Sequence, residues 1–344
     1  MKKLNICILF GGTSDEASVS FTSAKYISKN LNPEKYNAIP VFLDRDMKFY
    51  SVQADFRSID SISGLNKDVS VGFIPRKMIS LDDKSISSEI HAVFSVVHGE
   101  TGEDGVLQGY FAVQGIPYCG SSLASSSLTI NKYLTKVFLE KEGIPLCKSV
   151  WLKKGLQTSV LEKVKNDIGF PLIIKPTSLG SSVGVFKVNS SEEFLEKLNE
   201  AFSISEEVMV EEFVKNRELE CAVIEIDGEI KVSEVGEIGK SFDVYSFDEK
   251  YLHGNAELII PSTANEQIKT TIQTLSEKIF RLLGCSGYAR IDFFLDENDQ
   301  ILFNEVNSLP GFTEISMFPK LVEKMGYSPE EIVESIINNA LRKV

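Results

Sequence analysis

Residues 4–10 form a nearly unbroken apolar run, followed by a Gly-Gly-Thr-Ser turn and a helical pattern over about 18–31. Further apolar runs at 38–43 and 92–97 predict buried strands, 105–115 a short helix, and 116–119 a last strand. Apolar runs divided by helical segments imply a parallel sheet covered on both faces. Residues 51–88 are polar and weakly patterned, and no element is assigned there. A serine-rich stretch at 121–127 marks a boundary. Beyond it the pattern gives helix 129–142, strand 149–152, helix 159–168, strands 171–175 and 183–188, and helix 191–202 with a Ser190/Glu193 capping box. This second unit is expected to be a small α+β domain of antiparallel strands. Residues 208–213 lead to a third unit. There, Asp227-Gly228 joins strands 219–226 and 229–235 as a hairpin, and apolar residues recur at helical spacing through 266–283. Ser328-Pro329-Glu330-Glu331 starts the last helix.

Residues 288–311 alternate as two strands around a polar Asp-Glu-Asn-Asp turn. If that turn centres on residues 297 and 298, Arg290 lies opposite Glu305, and Arg290, Asp292, Glu305 and Asn307 share one face. Asp292 then sits diagonally from Glu305, at roughly 7–8 Å between Cα atoms. Two carboxylates and an amide so placed suit a hard cation such as Mg²⁺. Water serves such a face equally well.

Composition narrows the classes. The chain has 344 residues, 43% of them hydrophobic and 25% charged, which suits a globular protein of two or three domains. A net charge of −13 argues against broad binding to nucleic acid or anionic membranes. No apolar run is long enough to span a bilayer, and the N-terminal run fits a first buried strand better than a signal peptide. Five cysteines without a Cys-x-x-Cys pair suit a reduced, cytoplasmic protein.

Several loops carry candidate chemistry. Gly180-Ser-Ser-Val-Gly184 supplies small residues between two strands, suited either to closing over phosphate or to a plain hairpin. It lacks the Gly-Lys-Ser/Thr ending of a P-loop. Lys175 ends an apolar strand and needs an anionic partner. Lys132 opens a helix, where a solvated surface charge is the simpler reading. The turn at 11–16 lies where α/β proteins put ligands but has no dinucleotide fingerprint, so a dehydrogenase is disfavoured. Glu16 there either complements the helix dipole or holds a substrate ammonium. The loop 98–105 follows an apolar strand and suits polar ligands; its lone His98 argues against a metal site. His91 is expected to be structural. Glu211 and Glu218 flank Phe213 and Val214, and are suited to an adenine amine and ribose hydroxyls or to plain edge-strand exposure. Lys250 and Tyr251 fall in the long irregular loop 241–254, suited to a lid.

Together these residues resemble the D-alanine–D-alanine ligases of the ATP-grasp superfamily. The motifs are Gly-Gly-Thr-Ser-Asp-Glu (11–16), His-Gly-Glu-Thr-Gly-Glu-Asp-Gly (98–105), Lys-Pro-x-x-x-Gly-Ser-Ser-Val-Gly (175–184), Ala-Arg-Ile-Asp (289–292) and Asn-Glu-Val-Asn-Ser-Leu-Pro-Gly-Phe-Thr (304–313). Their order and spacing follow the family across nearly the whole chain.

The resemblance implies an α/β chain with an N-terminal Rossmann-like parallel-sheet domain (1–121). A two-domain ATP-grasp unit follows, central (122–214) and C-terminal (215–344). It implies an ATP-dependent enzyme that joins two D-alanines through a D-alanyl phosphate for peptidoglycan synthesis, acting as a homodimer. Lys132 and Lys175 would bind ATP phosphates, with the loop of Gly180 and Ser182 closing over them, and Lys250 would also bind ATP. Glu211 with the backbone of Phe213 and Val214 would hold adenine, and Glu218 the ribose. Asp292, Glu305 and Asn307 match the ligands of two Mg²⁺ ions, with Mn²⁺ as a substitute. Arg290 matches the arginine that stabilises the acylphosphate. Glu16, Ser181 and Tyr251 match the group that grips the first D-alanine and ties the lid, and His98 lies beside its carboxylate. Gly311, Ser316 and Met317 fall where the second substrate is received. Ala17 and Tyr245-Ser246-Phe247 depart from the usual pattern, which touches the lid contacts. The Lys250-Tyr251 pair favours D-alanine over D-lactate; D-serine, another acceptor, or a non-catalytic nucleotide-binding role stay open.

Overall fold

The computed structural model describes residues 2–52, 56–67, 69–82, 87–155, 160–239 and 257–342. Among these residues the chain builds three sheets. The first holds β1 (Leu4–Gly11), β2 (Tyr36–Leu43), β3 (Phe49–Ser51), β4 (Val69–Ile74), β5 (Lys77–Ser80), β6 (Ser87–Glu89) and β7 (Ala92–Ser95), in the order β6-β5-β4-β3-β2-β1-β7. Every residue of β1 from Ile6 onward is buried because both faces are covered. Ile6, Ile8 and Phe10 enter one core and Cys7 and Leu9 another, as expected of a central parallel strand.

The parallel expectation holds for part of this sheet only. β1 runs parallel to β2 and β7, and Tyr118 adds a parallel bridge to Val93. From β3 to β6 the ladder is antiparallel. Of these short strands, β4 and β5 fall within the unassigned stretch 51–88, and β3 and β6 overlap its two ends. Val71 and Phe73 are buried in alternation with more exposed neighbours, but each run is too brief to register as a strand in the sequence.

Two helices, α1 (Ala17–Lys29) and α2 (Val106–Val113), belong to this part of the chain. The single helix expected at 129–142 is two, α3 (Leu123–Ile130) and α4 (Lys132–Lys141). Asn131 ends one and caps the other: its backbone leaves the helical region and its Oδ1 accepts from Leu134 N at 3.0 Å. The serine-rich stretch that marks the expected boundary is mostly helical, with Ser122 as N-cap.

The second sheet is antiparallel: β8 (Ser149–Lys153), β9 (Leu172–Pro176), β10 (Phe186–Val188) and β11 (Glu207–Glu212), ordered β10-β9-β11-β8. Helices α5 (Val160–Asp167) and α6 (Ser191–Ile204) bury Val164, Phe194 and Leu198 into its core. The third sheet contains β12 (Asn216–Ile226), β13 (Glu229–Ile238), β14 (Leu258–Ile259), β15 (Tyr288–Asp296) and β16 (Ile301–Asn307), ordered β14-β13-β12-β15-β16. One face packs on α7 (Glu266–Leu282). The other merges with the first sheet and with α8 (Met317–Lys324) and α9 (Pro329–Arg342) in a shared core that includes Phe94, Tyr288, Phe312 and Phe318. That continuity fixes the loop before α8 against the end of the first sheet. All five cysteines are buried and free, and burial pushes the Cys221 and Cys285 thiols up to about 11. No helix among the described residues is long and apolar enough to cross a membrane.

Candidate active site

The hairpin register differs from the one drawn by symmetry. Leu295 pairs with Ile301 and Phe293 with Phe303, but Asp292 pairs with Glu305 and Arg290 with Asn307. The turn is one residue longer than assumed, and a bulge inserts Asn304. Phe303 and Val306 both face the core while Asn304 and Glu305 both line the opposite side. Asp292 thus lies directly across from Glu305, not diagonally. Glu220 on β12 pairs with Asp292 from the other side, so three carboxylates run in a row across three strands. Arg290 engages two of them. Its Nε and Nη2 donate to Asp292 at 2.8 and 2.7 Å, and Nε lies 3.0 Å from Glu220 Oε2. Asn307 Nδ2 also donates to Asp292, at 2.8 Å.

Glu305 also borders a cleft of about 430 Å³ between the second and third sheets. The cleft is lined by Lys132, Lys175, Gly180, Ser181, Ser182, Glu211, Phe213, Val214 and Glu218, with Ile173, Ile238 and Phe294 as apolar walls. Its size and mixed lining suit a nucleotide-sized molecule. Lys132 is fixed at the first turn of α4 by its backbone N–H to Thr177 O, and its Nζ donates to Leu179 O at 2.8 Å and lies 3.2 Å from Glu305. It is therefore not a solvated surface charge. Lys175 is buried, 2.7 Å from Glu211 Oε2. Burial works against its charge, but Glu211, and after it Glu305, more than offset that and raise its pKa.

Glu211 is buried as well, and sequence reasoning missed its second partner, Lys136, which is bonded to Oε1. Burial alone would raise the Glu211 carboxyl; the two ammonium groups hold it below the usual range. The available signal was the four-residue spacing from Lys132, which puts both lysines on one helix face. Glu220 was missed too, although alternation puts it on the same face as Glu218.

The loop over the cleft departs from ordinary backbone. Ser181 and Ser182 have φ of 53° and 59°, a left-handed conformation uncommon for serine. Gly184 also has positive φ, and a Cβ there would meet Pro176 at 2.9 Å. Ser181 Oγ donates to Glu16 Oε1 across the junction between the first and second sheets. Glu16 stands at the start of α1 but makes no side-chain cap; its carboxylate serves this contact instead. Behind it, Ser14 donates to the His98 carbonyl at 2.9 Å. His98 is buried, with Nδ1 3.4 Å from Glu103. Burial opposes its protonation, but Glu103 and then Glu16 prevail, so its pKa is raised.

Leu309, whose backbone faces His98, leads into the loop of Gly311 and Ser316. Ser316 Oγ accepts from Thr313 N at 3.0 Å, and a Cβ at Gly311 would press on that oxygen at 3.0 Å. Met317 is placed elsewhere than expected: it is buried in the shared core, where its sulfur fills the space beside Gly236. Lys250, Tyr251 and the rest of the expected lid lie outside the described residues. Its flanks are joined by Gly239 N donating to Glu257 O at 2.7 Å.

Hard oxygen donors fit a divalent cation here: Asp292 and Glu305 face each other with the Asn307 amide alongside. Among the described residues no group of three His, Cys, Asp or Glu side chains is close enough to hold an ion, so the amide is a necessary part of such a set.

The architecture and the cleft between its second and third sheets define an enzyme of the ATP-grasp fold. The family profile "D-ala D-ala ligase N-terminus" matches residues 5–121, and "D-ala D-ala ligase C-terminus" matches 138–338. The chain belongs to the D-alanine–D-alanine ligase family. It is 34% identical to the D-alanine–D-alanine ligase of Caldicellulosiruptor bescii, covering 100% of this chain and 96% of that one. The Staphylococcus carnosus relative of the same name is 33% identical, with 100% and 97% covered. Among solved structures, the D-alanine–D-alanine ligase from Coxiella burnetii superposes with a TM-score of 0.87 at 31% identity, covering 100% and 95%. The VanG D-Ala:D-Ser ligase from Enterococcus faecalis does so at 0.88 and 31%, covering 98% and 100%.

Proposed function

We propose that this chain joins two D-alanines, using ATP and releasing ADP and phosphate. The observation that carries the reading is the meeting of two features at Glu305. One is the row of acids with Asn307, and the other is a nucleotide-sized cleft holding Lys132 and Lys175. A carboxylate is a poor electrophile at neutral pH. Phosphorylation by ATP gives the first D-alanine a good leaving group, and the neutral amine of the second D-alanine then displaces phosphate. Such a reaction needs positioning and charge neutralisation more than covalent help from the protein.

In this reading the wall of Ile173, Phe213 and Phe294 takes the adenine, with Glu211 and the backbone at Phe213 and Val214 at its polar edge. Glu218 receives the ribose. Lys132, Lys175, Gly180 and Ser182, with Lys250, receive the phosphates. Asp292, Glu305 and Asn307 hold two Mg²⁺ ions, which neutralise phosphate charge when bound. Arg290 stabilises the acylphosphate. Glu16 orients the first D-alanine through its ammonium, Ser181 ties the glycine-serine loop to it, and His98 faces the substrate carboxylate. Gly311 and Ser316 shape the place of the second D-alanine, and Tyr251 helps close the site against water, which would hydrolyse the acylphosphate. The three sheets are read as domains 1–121, 122–214 and 215–344, and the assembly as a homodimer.

Phosphate release across a panel of D- and L-amino acids, with products identified by mass spectrometry, tests the proposal. D-alanyl-D-alanine is the expected product. If D-serine exceeded D-alanine in kcat/KM as acceptor, the narrower claim would fail; no ADP release with D-alanine and Mg²⁺ would remove the ligase reading.

A further inference from the structure

Lys136 is among the largest fully buried side chains of the molecule, at 1% exposure. It sits one turn beyond Lys132 on α4 and is bonded to Glu211, whose other oxygen is held by Lys175. One carboxylate therefore serves two ammonium groups in a site nearly sealed from water. A buried cluster with an excess positive charge is costly unless an anion completes it. Lys175 and Glu211 both line the nucleotide cleft, whereas Lys136 stands behind them. The cluster is thus open toward the phosphates and closed toward the protein.

We propose that Lys136 is a positioning residue for phosphate binding. By holding Glu211 in place and neutralising it, Lys136 leaves Lys175 able to exchange that carboxylate for a phosphate oxygen. Without Lys136, Glu211 and Lys175 form a closed neutral pair, and Lys175 must break it before meeting an anion. The inference rests on the nucleotide reading of the cleft given above.

The test measures ATP and adenosine affinities by calorimetry for the full-length wild type, Lys136→Met, Lys136→Arg, Glu211→Gln and Lys136→Met/Glu211→Gln. The ratio of the two affinities cancels contacts to the base and isolates the phosphates. A charge-assisted hydrogen bond corresponds to about 10- to 100-fold in affinity, and the ratio should fall by that much in Lys136→Met. Lys136→Arg should retain most of it. The double variant restores the excess positive charge, since glutamine cannot hold Lys175 as an ion pair, and its ratio should return close to that of Glu211→Gln. A ratio in Lys136→Met equal to wild type, or a double variant no better than the single, overturns the proposal. Should Lys136→Met not fold, the comparison of the double variant with Glu211→Gln decides: a ratio more than about tenfold lower overturns it. These are binding measurements, so a wild type that binds ATP but releases no D-alanine-dependent phosphate would sink the proposed reaction and leave this inference standing.

Discussion

Replacing Glu237 by glutamine tests how the third sheet holds its cleft-facing edge. Glu237 is buried, and its carboxylate gathers five contacts: Arg217 Nε and Nη2, each at 2.7 Å, Thr263 N at 3.1 Å, Thr263 Oγ1 at 2.9 Å and Ser262 Oγ at 3.3 Å. Burial alone would raise the carboxyl. Arg217 and Thr263 more than offset that and hold it at about 2, against an ordinary 4.5. At about 1.4 kcal/mol per pH unit, this difference contributes about 3 kcal/mol of stability at neutral pH. Because the folded pKa is depressed, the contribution is complete above 4.5 and fades as pH falls toward about 2. Urea unfolding of wild type and Glu237→Gln should differ by about 3 kcal/mol near pH 7, and by less than half of that near pH 3. A difference below about 1 kcal/mol at neutral pH, or one that does not shrink in acid, would refute the account. Arg217 adjoins Glu218 and also lines the cleft, so the variant should weaken ATP binding as well.

Glu305→Gln keeps the shape of the acid row but removes charge; kcat should fall by about 10²- to 10³-fold with an unchanged melting temperature, and near-wild-type turnover would contradict the ion assignment. Chelation by EDTA should stop turnover without altering far-UV circular dichroism, and Mg²⁺ should restore it. Glu220→Gln removes one of the carboxylates that engage Arg290; kcat should drop about tenfold while KM for ATP holds, and the opposite pattern would place Glu220 outside the reaction. His98 keeps its proton above the usual 6.5, so KM for the first D-alanine should rise as alkaline pH removes that charge. His98→Gln should abolish this slope, and a slope that persists would assign it to another group.

Much of the fold follows from patterns with strong local causes. The apolar run of β1, the Asp227-Gly228 turn and the helical spacing of α7 are each dictated by burial or turn geometry within a few residues. The failures have local causes too. The strands between residues 69 and 89 are short, so alternation never accumulates. Asn131 splits a helix because its side chain competes for the backbone N–H of Leu134, which an apolar periodicity does not register. The candidate site was legible where residue type and motif coincide, as at Lys175, Asp292 and Glu305. It was illegible where a side chain's setting depends on a partner far along the chain: Lys136 resembles any helix lysine until Glu211, 75 residues later, meets it. Met317 shows the reverse case, a residue near a motif whose side chain the core claims.

The extra residue in β16 has a consequence for chain length. A regular ladder continuing from Phe293–Phe303 would set Asn304 across from Asp292 and turn Glu305 toward α7. The bulge thus makes Glu305, rather than Asn304, the partner of Asp292. Deleting Asn304 would straighten the strand yet keep every later side chain on its present side. Deleting any residue beyond Glu305 would not. The stretch between Phe303 and Glu305 can therefore lose its extra residue without turning Glu305 away from Asp292, whereas the strand beyond Glu305 cannot change length by one without reversing the faces that follow.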